Sequence, residues 1–169
     1  LKMDNLSVTY DFGKIMNDRE TLRGSLIVQN VFTLTKYSGL DPEIAGGIDM
    51  CPIATDTYRA NFPRANVITD HLENVGLGRF RGRIGEIDIL LASPECTNHT
   101  CAKGGAPRNE ASRATAMRVV DYARAFRPRW LVLENVVYMM PWSKYGKLKE
   151  DLKALGYNLS EQVLDASDF

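Results

Sequence analysis

The sequence predicts an α/β fold: an open, mostly parallel sheet flanked by helices on both faces. Two observations lead there. From Leu40 onward, short apolar runs alternate with helical patterns. Two of those runs, Ile87 to Ala92 and Trp130 to Leu133, are almost wholly apolar, as strands buried on both faces are. Each ends just before residues able to do chemistry: Pro94-Glu95-Cys96 after the first, Glu134-Asn135-Val136 after the second. Carboxyl ends of parallel strands are where α/β enzymes place their sites.

In chain order, Ile44 to Ile48 reads as a strand ending at Asp49. Pro52 to Phe62 reads as a helix with a first-turn proline, and Ala54, Tyr58 and Phe62 face inward. Asn66 to Thr69 is a short strand ending at Asp70. Gly76 to Gly85 holds four glycines and three arginines, a composition that predicts a mobile loop. Asn109 to Phe126 is predicted helical, with Met117, Val120, Tyr122, Ala123 and Phe126 on one face and Pro128 as its stop. Tyr145, Leu148, Leu152 and Leu155 step by three or four, and Gly156 caps that helix. Tyr157 to Leu164 is predicted to be a last strand.

Composition narrows the class. At 169 residues, 44% hydrophobic and 25% charged, the chain matches an ordinary globular domain. No apolar stretch approaches the ~20 residues of a membrane span. Residues 1–25 lack the basic start and apolar core of a signal peptide. Cys51, Cys96 and Cys101 form an odd set without framework spacing, which predicts reduced thiols in a cytoplasmic setting. With 21 basic and 21 acidic residues, any polyanion contact must come from local clusters. Arg79 to Arg83 and Lys103 to Arg113 are two, and solvated loops account for them as well.

Asp49 and Asp70 each end a strand. In a nucleotide-binding α/β fold, such acids accept hydrogen bonds from ribose hydroxyls and from an adenine amino group; a helix N-cap suits the same positions. Cys96, in a loop after a strand, has the exposure a nucleophilic thiol needs, although most free cysteines are buried and inert. A metal site from Cys96, His99 and Cys101 would lack any familiar zinc spacing. Glu134, leaving a buried strand, is easily desolvated, which favours a protonated side chain able to donate to a ring nitrogen. A salt bridge to an arginine such as Arg113 is the alternative.

Several segments in order resemble the cytosine-5 DNA methyltransferase family. Gly47-Ile48-Asp49-Met50-Cys51-Pro52, running on to Phe62-Pro63, is similar to its ribose-binding segment. Asp88 to Cys96 resembles the segment bearing the nucleophile, Arg113 falls in the helix that follows, and Leu131 to Val136 resembles the segment bearing the catalytic glutamate. Asp165 to Phe169 resembles the lead-in to a further motif.

The resemblance covers residues 38–169, a partial catalytic domain, and leaves residues 1–37 unassigned. It implies a Rossmann-like S-adenosylmethionine-dependent methyltransferase fold, incomplete here. Cys96 and Glu134 would be catalytic. Asp49, Met50, Asp70, His71 and Pro94 would contact S-adenosylmethionine. Thr97, Asn98, Lys103, Arg113 and Asn135 would contact nucleic acid, and no metal is implied. It further implies double-stranded DNA as partner, restriction-modification in a bacterial or phage cytoplasm, and no membrane. Cys96 would add to C6 of a flipped cytosine, Glu134 would bind the N3 edge, and Thr97 to Arg113 would close over the base.

Three departures shape the expectations. Ser25 to Asn30 stands where the family has a glycine-rich loop. Glu95 replaces the usual proline before the nucleophile, and an inward-facing anion there would oppose thiolate formation. The family's later arginine motif, target-recognition region and closing helix have no counterpart in this sequence. The chain is therefore expected to be a truncated, split or degenerate form, inactive alone or completed by a complementary subunit. A non-catalytic binding partner and an RNA cytosine methyltransferase are the competing readings.

Overall fold

The computed structural model describes residues 7–11, 23–27, 32–38, 41–100, 107 and 109–165, with side chains described from residue 43 onward. Strands Ser7–Asp11 (β1) and Arg23–Ile27 (β2) pair antiparallel as a separate two-stranded sheet. The principal sheet has five strands: Phe32–Ser38 (β3), Asp41–Asp49 (β4), Asn66–Thr69 (β5), Ile89–Ala92 (β6) and Trp130–Leu133 (β7). Their spatial order is β5-β4-β3-β6-β7. The helices are Pro52–Asn61 (α1), Leu77–Ile84 (α2), Glu110–Arg113 (α3), Arg118–Phe126 (α4) and Tyr145–Ala154 (α5).

The expectation of a mostly parallel sheet needs correction. β4 pairs parallel with β5, and β6 with β7, but the central β3 runs antiparallel to both its neighbours. The cause is local. Ser38 pairs with Asp41, so β3 and β4 are joined too tightly for the long crossover that parallel neighbours require. Because β3 opposes both neighbours, β4 and β6 point the same way. Thr33 is level with Gly47 on one side and with Leu91 on the other. The carboxyl ends of β4, β5, β6 and β7 therefore share one rim, and the chain leaves β4 and β6 toward opposite edges of the sheet. That is the reversal at which α/β sheets open a crevice.

Helices do cover both faces. Successive strand residues point to opposite sides. A Cβ on Gly46 would lie 2.9 Å from the Phe80 ring of α2, and one on Gly47 would lie 2.8 Å from the Tyr58 ring of α1. These two glycines let α1 and α2 approach β4 from its two sides. On the α2 side, Ile48, Phe80, Ile84, Leu90, Val119, Tyr122 and Phe126 form one core. The Phe80 and Phe126 rings meet edge to face at 5.9 Å. A second core joins α4 to α5 through Val120, Ala123, Trp142, Leu148 and Leu152. Each large side chain fully buried this way contributes about 1.5–3 kcal/mol.

Three further expectations change. Gly76 to Gly85 is not a loop: Leu77–Ile84 is helical, because Phe80 and Ile84, one turn apart, are both buried. Its glycines punctuate the ends, Gly76 at the N-cap and Gly85 at φ 72° after the last turn. Asn109 to Phe126 is not one continuous helix; a 3-10 stretch at Ala114–Met117, holding the fully buried Ala116, separates α3 from α4. Tyr157 to Leu164 forms no strand. Side chains fasten it instead: Tyr157 donates to the Pro128 carbonyl at 2.7 Å, and Glu161 accepts from Tyr145 and Lys149. Gly156 does end α5, at φ 96°.

Candidate active site

Ala92, the last residue of β6, pairs with Leu133, the last of β7, and the Glu134 N–H continues the ladder to the Ala92 carbonyl at 2.9 Å. Both strands thus release their loops at the same level. Asn135 fastens the loops together: its Nδ2 donates to the Pro94 carbonyl at 3.0 Å, and its Oδ1 accepts the Val136 N–H. Cys96 and Glu134 are both half-buried at this rim. Burial pushes the Cys96 thiol up, and the negative charges of Glu134 and then Glu95 push it further. The resting protein therefore holds a protonated thiol. Among the described residues Glu134 has no ion pair. Arg113 turns instead to Glu110, at 3.3 Å.

The turn that carries Cys96 is tightly built. The Cys96 carbonyl accepts the His99 N–H at 2.8 Å and the Thr100 N–H at 3.1 Å. Thr97 is exposed, whereas Asn98 is 6% exposed and its carboxamide is engaged by Glu95, Ser112 and Asn109. Behind the turn, the fully buried His99 ring meets Trp142 edge to face at 5.1 Å. Arg113 lies 5.5 Å over the Trp142 ring, and its Nε donates to His99 Nδ1 at 3.5 Å. Trp142 Nε1 donates to Glu110, which also pairs with Lys144. Lys103, Gly104, Gly105 and Cys101 lie outside the described residues.

Trp142, Ser112 and Glu110 are the neighbours of the Cys96 turn that sequence reasoning missed. His99, weighed there only as a metal ligand, packs behind the turn against Trp142. Burial, then the adjacent Arg113 charge, lowers the His99 pKa. Glu95 and Glu110 oppose that shift without reversing it. A histidine whose folded pKa is depressed binds its proton more readily in the unfolded chain. Its stabilising effect is complete above the unfolded value of about 6.5 and declines as pH falls through the window beneath it. Denaturation midpoints are thus expected to drop between about pH 7 and pH 5.5. The slope should be flatter in His99→Gln than in the parent protein; equal slopes would contradict the assignment.

On the β4–β5 side, Asp49 is 4% exposed. Its Oδ1 accepts the Cys51 N–H at 2.7 Å, and Oδ2 has no partner among the described residues. Desolvation raises its pKa, and the Cys51 hydrogen bond lowers it. The Asp70 N–H reaches the Asp49 carbonyl at 3.1 Å, so the two acids leave adjacent strands together. Asp70 Oδ1 accepts from Asn74 and the His71 N–H, which hold its pKa down. A cavity of about 230 Å³ beside it is lined by Ile68, Asn74, Val75, Arg79 and Phe80 among others. That is below the roughly 300–1,000 Å³ of a drug-sized pocket, so it suits part of a ligand such as one ring. Neither Cys96 nor Glu134 lines it. Met50 is 62% exposed beside Asp49, and Pro94 is buried in the loop after β6.

The sequence is similar to those of several known methyltransferases. Type II methyltransferase M1.BsuMI of Bacillus subtilis (strain 168) is 29% identical over 80% of this chain and 35% of its own length. Type II methyltransferase M.AquIA of Picosynechococcus is 28% identical over 74% of this chain and 56% of its own. The tRNA (cytosine(38)-C(5))-methyltransferase of Rattus norvegicus is 23% identical over 78% of this chain and 34% of its own. The chain thus spans about a third of the length of M1.BsuMI. The family model for C-5 cytosine-specific DNA methylase matches residues 35–169, and the chain belongs to that family.

Proposed function

We propose that this chain forms the nucleophile-bearing part of an enzyme that methylates C5 of cytosine in DNA. One observation carries the reading: in a chain of this family, the loops bearing Cys96 and Glu134 leave paired parallel strands at one level and are joined by Asn135. The Cys96 thiol loses its proton to solvent and the sulfur adds to C6 of a cytosine taken out of the duplex, opening the C5=C6 double bond, while Glu134 holds a proton at N3 as charge develops there. S-adenosylmethionine, when bound, supplies the methyl group to C5. Loss of the C5 proton then lets the C6–sulfur bond break and returns the thiol.

The residues present fit the nucleoside half of that cofactor. The Oδ2 of buried Asp49, without a partner among the described residues, suits a ribose hydroxyl, Asp70 beside the cavity suits an exocyclic amino group, and exposed Met50 and His71 offer surface to a ring. Thr97, exposed beside Cys96, and Lys103 are the proposed contacts to nucleic acid. Asn98, Arg113 and Asn135 act on it through the loops they hold. Residues 38–169 serve as part of the catalytic domain, and the share of its relatives' length that the chain spans supports a larger catalytic unit.

The full-length protein, given labelled S-adenosylmethionine and either duplex DNA or tRNA, tests the reading by nucleoside mass spectrometry. Labelled 5-methylcytosine in DNA is the expected product. Label confined to tRNA would move the substrate to RNA, and label in neither would leave a non-catalytic role.

A further inference from the structure

Glu95 stands where a proline is usual in this family, and its carboxylate has work in the fold. Oε1 accepts the Asn98 backbone N–H and Nδ2, each at 3.2 Å, and Oε2 accepts the Ser112 hydroxyl and lies 3.4 Å from Asn98 Nδ2. Asn98 Nδ2 also donates to Ser112 Oγ at 3.0 Å, and Asn98 Oδ1 accepts the Asn109 N–H at 2.9 Å. Asn109 closes the ring as N-cap of α3, accepting the Ser112 N–H at 3.2 Å. Residues on both sides of Cys96 are thereby tied to a segment 11–17 positions further along the chain. A proline at position 95 could make none of the bonds that Glu95 makes.

We propose that Glu95 is a positioning residue for the nucleophile: its carboxylate latches the Cys96 turn to the start of α3 and so sets where the sulfur stands. This rests on Cys96 being the nucleophile. The latch has a cost, because the same anion opposes ionisation of the thiol beside it. Substitutions separate the two effects. Glu95→Gln removes the charge but keeps an oxygen for both Asn98 donors and an N–H for the Ser112 hydroxyl. Glu95→Ala removes charge and latch together.

In the full-length protein, kcat of E95A is expected to fall about 10- to 100-fold below that of E95Q, the scale of a misplaced reacting group. KM for DNA should differ less than about 2-fold between them, since the residue acts on geometry and not on substrate binding. Iodoacetamide alkylation, read at Cys96 by peptide mass spectrometry, supplies the second measure. Both variants should move the pH profile of alkylation downward, as loss of the anion requires. Only E95A should also raise the limiting rate at high pH, as the turn opens. S112A, which removes one strut and no charge, should raise that limiting rate without moving the profile.

Equal kcat and equal limiting rates for E95A and E95Q would overturn the latch. If the parent protein makes no 5-methylcytosine, the proposed function fails, and the limiting alkylation rates still decide the latch.

Discussion

Replacing Cys96 with serine in the full-length protein is expected to reduce methyl transfer by about 10⁴-fold or more, because removing a covalent nucleophile removes the step that activates the ring. The fold should survive. Cys96 is half-buried in a turn held by the His99 and Thr100 backbone N–H groups, and serine conserves that backbone. Equal thermal midpoints with lost incorporation of label would separate chemistry from stability. Cys51 is the control: it is exposed at the N-cap of α1, contributes a backbone N–H to Asp49, and its Ser variant should retain methylation. Full transfer by the Cys96→Ser protein would remove the sulfur from the mechanism.

Glu134→Gln should give two changes of opposite sign. Methyl transfer falls by about 10²- to 10³-fold, the usual consequence of losing a preorganised group at a site of developing charge. Alkylation of the free enzyme's Cys96 speeds up at neutral pH, because the Glu134 charge is one cause of the raised thiol pKa. The sign follows directly: a lower thiol pKa means more thiolate at any pH below it. A Glu134 with no part in the chemistry would still speed the thiol when its charge is removed, but would leave methyl transfer intact. A paired response, slower catalysis with a faster thiol, belongs to an acid that acts on substrate while opposing premature ionisation.

The strands that deliver these residues were legible because β6, β7 and the end of β4 are short apolar runs stopped by polar residues, and register across two parallel pairs then places their ends at one rim. Other features depend on partners far along the chain. Nothing near Phe32–Ser38 encodes direction; its antiparallel course follows from a tight link to β4. Four glycines disguised α2, whose helical state comes from Phe80 and Ile84 packing on elements up to 46 residues away. Strand potential at Tyr157 to Leu164 came to nothing where side chains on α5 and the Pro128 carbonyl took the segment instead. The direction of the Glu95 side chain was undecidable because Ser112, which binds it, is 17 residues distant.

The departure at Glu95 has a physical consequence for how the site works. Burial, and after it the charges of Glu134 and Glu95, push the Cys96 thiol up in the free protein. Such a site resists adventitious alkylation and oxidation, which act on the thiolate.

The most direct measurement offers the full-length protein a duplex carrying 5-fluorocytosine at its target, together with S-adenosylmethionine. Fluorine at C5 cannot leave as the proton does, so the thioether to C6 should persist. Peptide mass spectrometry should then find the fluorinated, methylated base attached to Cys96. Attachment at Cys51, or turnover of ordinary DNA with no adduct at Cys96, would contradict the account.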